Sequence, residues 1–371
     1  MAVFRPLVKP CSPTIIQSKM LSKTSPSATA CKPPAIPAPI VGNSRPFWSV
    51  MIPTYNPQPN YLEQTLRSVL SQDLGSECMQ IEVVDDCSKG DTAFEITRRV
   101  GAGRVTFHAE SRNRGLVNTW NRCIQRARGH WVHILHHDDI VLQGFYDRLY
   151  QGITCNPEVG MAFCRFAIID ANGHWKSLGP LESATAGVLE NWLDRVATGY
   201  HLECPAVVVK RAIYEQLGGF TPELICFLDL EMWVRIASHA PAYYEPQILA
   251  CFRRHGDNVH ILQERTGANM QDMARAIRIW KKYLPASSKD QLEKQGRRYW
   301  ADISLMLAQH FFSNDDLAAC TSQLRAAKTL WDHGQHRARR LRLESKVLLY
   351  RALGPRAISA MRELRRRIRS G

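Results

Sequence analysis

Three short apolar runs in the first 140 residues each stop abruptly at polar side chains, and this repeated ending constrains the fold more than any other feature of the chain. Trp48 to Ile52 ends in Pro53-Thr54-Tyr55-Asn56, Ile81 to Val84 ends in Asp85-Asp86-Cys87-Ser88, and Val132 to Leu135 ends in His136-His137-Asp138-Asp139. Runs of this length, bounded by turn formers, read as buried strands. Between the first two, Leu62 to Gln72 puts Leu62, Leu66, Val69 and Leu70 on one helical face, which predicts a strand, a crossover helix and a parallel strand. The implied fold class is α/β, a mostly parallel sheet flanked by helices. In such sheets ligands bind beyond the carboxyl ends of the strands, where these polar endings fall.

Asp138 and Asp139 repel each other and cost free energy to desolvate, so a cation or a set of donors is needed to hold both ionised. A solvated acidic turn is the competing reading for this pair, and an Asx-type turn after a strand is the competing reading for Asp85-Asp86.

The order of the motifs resembles that of the inverting family 2 glycosyltransferases with the GT-A fold. The resemblance is carried by Pro53-Thr54-Tyr55-Asn56, Val-Val-Asp85-Asp86, Asn113-Arg114-Gly115 and Asp138-Asp139. It continues in Leu217-Gly218-Gly219-Phe220, Asp229-Leu230-Glu231-Met232-Trp233-Val234-Arg235, and Cys251-Phe252-Arg253-Arg254-His255 through Asn258. It spans about residues 47 to 260.

This resemblance implies a nucleotide-sugar donor site built from Pro53, Thr54, Tyr55, Asn56, Asp85, Asp86, Asn113, Arg114, Gly115, Asn121 and Asp138. Asp86 is expected to accept a hydrogen bond from the base, and Arg114 to offer paired donors to the diphosphate, where a solvated loop arginine is the alternative. Asp138, Asp139 and His255 are expected to hold Mn2+ or Mg2+, hard ions that suit oxygen ligands. His136 stands where many relatives carry an acid and is a further candidate ligand. Asp229, at the start of a helix through Trp233 and Ile236, is the expected general base, against the alternative that it caps that helix. Glu231 is expected to shape the helix start or the acceptor site.

The +14 formal net charge belongs to the ends of the chain. Residues 1–46 hold six basic and no acidic residues and residues 336–371 hold twelve basic and two acidic, which leaves −2 for the middle. A nucleic-acid-binding domain is expected to carry its basic patch on the folded body, so that function is disfavoured despite a pI near 9.4. Four segments are expected. Residues 1–46, rich in Pro and Ser, form a disordered tail or transit-like segment. Residues 47–262 form the catalytic domain, residues 263–335 a helical cap, and residues 336–371 basic amphipathic helix.

In the cap, Tyr299, Ile303, Leu307 and Phe311 mark one helical face, and a second helix is expected over Leu317 to Leu330. Arg356 to Arg369 has the pattern of a peripheral anchor on anionic lipid, or of a solvated terminal helix. Eleven irregularly spaced cysteines and no 18-residue apolar run fit reduced thiols in a cytoplasmic protein, with contact at the inner face of a membrane as an option. The acceptor is expected to be a glycan or a lipid-linked or polysaccharide precursor. A catalytically degenerate nucleotide- or glycan-binding module on the same fold is the alternative, motivated by His136. The carrier nucleotide, whether uridine, guanosine or thymidine, is left open by the sequence.

Overall fold

A computed structural model describes residues 32–39, 45–256 and 259–370, with side chains described for all of these but 259–261 and 353–370. The first half alternates strand and helix: β1 (Trp48–Thr54), α1 (Pro59–Leu70), β2 (Met79–Asp85), α2 (Thr92–Gly101), β3 (Thr106–Ala109), α3 (Leu116–Arg126) and β4 (Trp131–Ile134). Next come β5 (Ile140–Val141), α4 (Phe145–Cys155), β6 (Met161–Ile169), β7 (Trp175–Leu178), β8 (Gly187–Val188) and α5 (Trp192–Thr198). After a 3-10 turn at Cys204–Ala206 follow β9 (Val207–Lys210), α6 (Arg211–Leu217), α7 (Leu228–Ala237) and β10 (Ala242–Arg253). The remainder is helical: α8 (Val259–Thr266), α9 (Ala268–Trp280), α10 (Lys289–Ser313), α11 (Leu317–Leu330) and α12 (Gly334–Ser370).

The sheet runs β3-β2-β1-β4-β9-β6-β10-β5, with β7 on β6 and β8 on β10. The β3-β2-β1-β4 half is parallel, as the strand–helix–strand reading requires. Beyond it β9 inserts antiparallel between β4 and β6, so the sheet as a whole is mixed. Register does the rest: Thr54 lies opposite Asp85, the Asp86 amide donates to the Thr54 carbonyl at 2.9 Å, and the Leu135 amide donates to the Met51 carbonyl at 3.0 Å. Three strand ends thereby arrive at one edge.

Both faces of the sheet are covered. Val50, Ile52, Ile81 and Val83 point into one core with Leu62, Leu66 and Val69 of α1, while Met51, Val84, Val132 and Ile134 point into a second core with Trp120, Phe220, Trp233 and Trp280. The second core is continuous with the helical region, since it also takes in Met273 and Ile277 of α9 and Trp300 of α10. The buried positions of α10 include Trp300, Ala301, Ser304, Leu305, Ala308 and Phe312, one step round from the expected stripe of Tyr299, Ile303, Leu307 and Phe311, which is half-buried. The helix packs against both α5 and α11, so its buried arc is wider than a single 3.6-residue stripe.

The expectation of disorder to residue 46 fails for residues 32–39. There the chain is packed against the body: Ile36 is buried, the Pro34 carbonyl accepts from the Gly219 amide at 2.8 Å, and the Pro37 carbonyl accepts from Arg211 Nη2 at 3.0 Å. Proline presets an extended backbone, which lowers the entropy lost on docking. The rest of the reading for residues 1–31 and 40–44 lies outside the described residues, as does Asn258. The backbone of α12 covers the basic amphipathic segment, but the side chains of Arg356 to Arg369 lie outside the described residues.

Candidate active site

The loops that follow β1, β2 and β3 are held by Asp85 and Asp86, both buried. Asp85 accepts from the Ser88 amide at 2.8 Å and from the Ser88 hydroxyl at 2.5 Å. Ser88 Oγ accepts in turn from the Asn56 amide at 2.7 Å, and Asn56 Oδ1 accepts from the Lys89 amide at 2.8 Å. These bonds lock the loop after β1 to the loop after β2, with Asn56 at φ +45°, a conformation asparagine tolerates better than most residues. Pro53 and Thr54 are buried at the strand end, whereas Tyr55 is exposed. Thr54 Oγ1 is buried without a hydrogen-bond partner.

Asp86 accepts from the Arg114 amide at 2.7 Å and the Gly115 amide at 2.8 Å, and the Asn113 side chain donates to its carbonyl at 3.2 Å. Both carboxylate oxygens therefore hold the 113–115 loop at the start of α3. The Arg114 guanidinium lies on Glu110, with Nε donating at 2.6 Å, and Arg122 and His108 share the same carboxylate.

Asn121 corrects one expectation. The resemblance implies a place at the donor, but its amide oxygen accepts from the Phe220 amide at 2.7 Å and its amide nitrogen donates to the Phe220 carbonyl at 2.9 Å, in a buried setting. Its two polar atoms are thus committed to the glycine turn, where a Cβ on Gly219 would stand 2.2 Å from Asn121 Oδ1.

The cation candidates sit where β4 ends. His255 Nε2 lies 2.9 Å from Asp138 Oδ2, and His136 Nδ1 lies 3.0 Å from Asp139 Oδ2. Asp139 Oδ1 also accepts from the Arg253 amide at 2.8 Å, and its side chain is fully buried. Burial pushes Asp139 up to about 6. Burial also raises Asp138, but the His255 hydrogen bond together with the charges of His137, His136 and His255 outweighs it and brings that carboxyl down to about 2. His136, Asp138 and Asp139 each offer a ligand atom, all within 4.8 Å of one another, and His136 Nε2 is buried without a hydrogen-bond partner. This donor set, carboxylate oxygen with imidazole nitrogen, fits a divalent ion such as Mn2+ or Mg2+. Because protein donors occupy both oxygens of Asp139, Asp138 is the carboxylate better able to turn toward an ion.

Arg253, singled out in the sequence only as part of a motif, proves to be a central support. It is buried; Nε donates to the Asp138 carbonyl at 2.8 Å, Nη2 donates to Gln64 Oε1 at 2.7 Å, and the guanidinium stacks 4.5 Å above the Tyr61 ring. It fixes the backbone of the acidic pair from behind.

Asp229 is the second residue of α7, and its carboxylate is half-buried in the cleft. Burial pushes it up to about 6, with the Leu230 amide at 2.7 Å and His136 opposing. A carboxyl there can take a proton near neutral pH. Two residues on, Glu231 is buried against Arg235, whose Nε and Nη2 both donate to it at 2.9 Å, and it accepts from Thr221 Oγ1 at 2.9 Å. Arg235 carries this order to the carbonyls of Leu217 and Gly219 at 2.7 and 2.9 Å, so Glu231 shapes the turn and the helix start rather than meeting an acceptor. Glu203, which no sequence pattern singled out, is buried before the 3-10 turn, and burial, with Asp229 and Asp139 adding to it, pushes it up to about 8.

One sheet edge thus collects the polar ends of three strands, an acid–imidazole cluster and, nearby, a half-buried carboxyl of raised proton affinity. Residues 49–210 match the family model for glycosyl transferase family 2. The uncharacterized protein MT1568 of Mycobacterium tuberculosis is 30% identical over 235 residues, covering 58% of this chain and 69% of that protein. The uncharacterized glycosyltransferase MJ1057 of Methanocaldococcus jannaschii is 25% identical over 193 residues, covering 52% of this chain and 64% of that protein. The chain belongs to glycosyltransferase family 2 and is a nucleotide-sugar glycosyltransferase.

Solved structures agree in fold. Residues 1–349 of Staphylococcus aureus TarS, in complex with UDP-GlcNAc, superpose with a TM-score of 0.57 at 15% identity, covering 83% of this chain and 92% of that one. The mannosyltransferase PcManGT from Pyrobaculum calidifontis, in complex with GDP-Man and Mn2+, gives 0.53 at 20% identity, covering 86% and 84%.

Proposed function

We propose that the protein transfers a sugar, with inversion at the anomeric carbon, from a nucleoside-diphosphate donor to a hydroxyl of a glycan or lipid-linked acceptor. The nucleotide lies between the 53–56 loop and the 85–88 and 113–115 loops, close to the buried Thr54 hydroxyl. Asp138 with His255 would hold a divalent ion, with His136 and Asp139 in reach. Such an ion neutralises charge on the departing diphosphate. Asp229 removes the acceptor proton while the acceptor oxygen bonds to the anomeric carbon and the bond to the phosphate oxygen breaks.

The observation that carries this reading is the position of Asp229. A carboxyl of raised proton affinity stands at the first turn of α7, close enough to His136 to feel its charge, on the edge that also bears Asp138. Membrane contact is a further part of the proposal. It is supported by α12, where exposed Leu341, Leu348 and Leu349 share a helix with Arg337, Arg339, Arg342 and Lys346. The test of the transfer mechanism is Asp229→Asn assayed at saturating donor. The expected result is loss of transfer, by about 100-fold or more, with donor binding retained. Wild-type turnover by that variant removes Asp229 from its role.

A further inference from the structure

Asp272 lies in α9, well beyond the sheet, and its side chain is 1% exposed. Its Oδ2 accepts from three consecutive backbone amides, those of Ile225 at 3.1 Å, Cys226 at 2.8 Å and Phe227 at 3.1 Å. Its Oδ1 accepts from Arg275 Nη2 at 2.9 Å. Those amides immediately precede Leu228, where α7 begins, and Asp229 is the next residue.

Two more helices hold the same approach. Cys226 Sγ donates to Gln263 Oε1 at 2.7 Å, from α8, and the Phe227 ring meets Trp300 of α10 edge-on at 4.9 Å. On its other side the loop is tied through Thr221 to Glu231. Three converging amide donors form a nest that a full negative charge satisfies best, and without it buried donors lose their partner. A buried aspartate inside a helix is costly unless it has such partners, so the loop accounts for its presence there.

We propose that Asp272 is a positioning residue for the transfer reaction: by gripping the 225–227 backbone it fixes where the Asp229 carboxylate stands, which makes the helical region a working part of the active site. The proposal rests on the reading of Asp229 as the base. A group placed within about 1 Å of its productive position can gain on the order of 100-fold in rate from that placement, without any change in donor affinity.

The test compares wild type, Asp272→Ala, Asp272→Asn and Asp229→Asn in the full chain, well below the lowest melting temperature, measuring kcat, donor KM and affinity for nucleoside diphosphate with Mn2+. Asp272→Ala is expected to lower kcat by about 100-fold while donor KM and diphosphate affinity stay within about twofold. Asp272→Asn keeps one oxygen for the amides and is expected to fall between, losing about tenfold in kcat; it carries the test alone if the alanine variant fails to fold. Unchanged kcat in folded variants that melt earlier makes Asp272 structural only and overturns the proposal, and so does a kcat loss matched by loss of diphosphate affinity. Full turnover by Asp229→Asn removes the base and this role with it. An inactive Asp229→Asn beside fully active Asp272 variants leaves the base standing and removes only the positioning role.

Discussion

Replacing Asp229 by asparagine should stabilise the protein while it disables it, and the gain should depend on pH in a definite sense. The carboxyl ordinarily titrates at 3.8 and in the folded chain is pushed up to about 6 by burial. The folded state therefore holds the proton more tightly than the unfolded one, and stability falls as pH rises from about 4 to about 6. A shift of this size corresponds to about 3 kcal/mol at pH 7 and above, at 1.36 kcal/mol per pH unit. Solvent reaching the half-buried carboxyl reduces this to roughly 1–3 kcal/mol. The neutral amide escapes the cost of holding a buried charge, so Asp229→Asn should melt a few degrees higher than wild type at pH 8. Near pH 5 about half of the gain should be gone, and near pH 4 nearly all of it. Paired melting curves from pH 4 to 8 measure this directly. A gain that is absent, or equal at pH 4 and pH 8, refutes the claim that burial raises the proton affinity of this carboxyl.

Three further outcomes follow from the same contacts. Because the base must be ionised to accept a proton, kcat should fall about tenfold per pH unit below roughly pH 6, as a pH–rate profile at saturating donor would record. Asp86→Ala orphans the amides of Arg114 and Gly115 and should cost about 2–4 kcal/mol in a denaturant titration, with a raised donor KM. Glu231→Gln leaves the buried Arg235 without its charge partner and should destabilise by about 3–5 kcal/mol, read from the same titration.

The sequence disclosed what is local or periodic. The endings at Thr54, Asp85-Asp86 and Asp138-Asp139 follow parallel strands, as short apolar runs bounded by turn formers imply. Helix α1 buries Leu62, Leu66 and Val69, as its spacing demands. What escaped was set by contacts distant in the chain. Asn121 meets Phe220, 99 residues on, and Asp272 reaches back 45 to 47 residues to its three amides. Neither leaves a local signature, since an asparagine or aspartate in a helix reads the same whether it faces water or a nest of amides. Ile36 likewise gives no hint in its proline-rich surroundings that the sheet-flanking core will take it up. Glu203 is a single acid in an irregular loop, and its raised proton affinity arises only from what folds around it.

The central claim, a metal-assisted nucleotide-sugar site served by Asp229, is tested most directly by thermal shift. Wild type, Asp138→Asn and Asp229→Asn would be melted with uridine, guanosine or thymidine diphosphate, each with and without Mn2+. A ligand at 100 times its dissociation constant stabilises the native state by about 2.7 kcal/mol. The account predicts that one diphosphate raises the melting temperature of wild type and of Asp229→Asn only when Mn2+ is present, and that Asp138→Asn loses the effect. No shift with any of the three, or a full metal-dependent shift in Asp138→Asn, contradicts it.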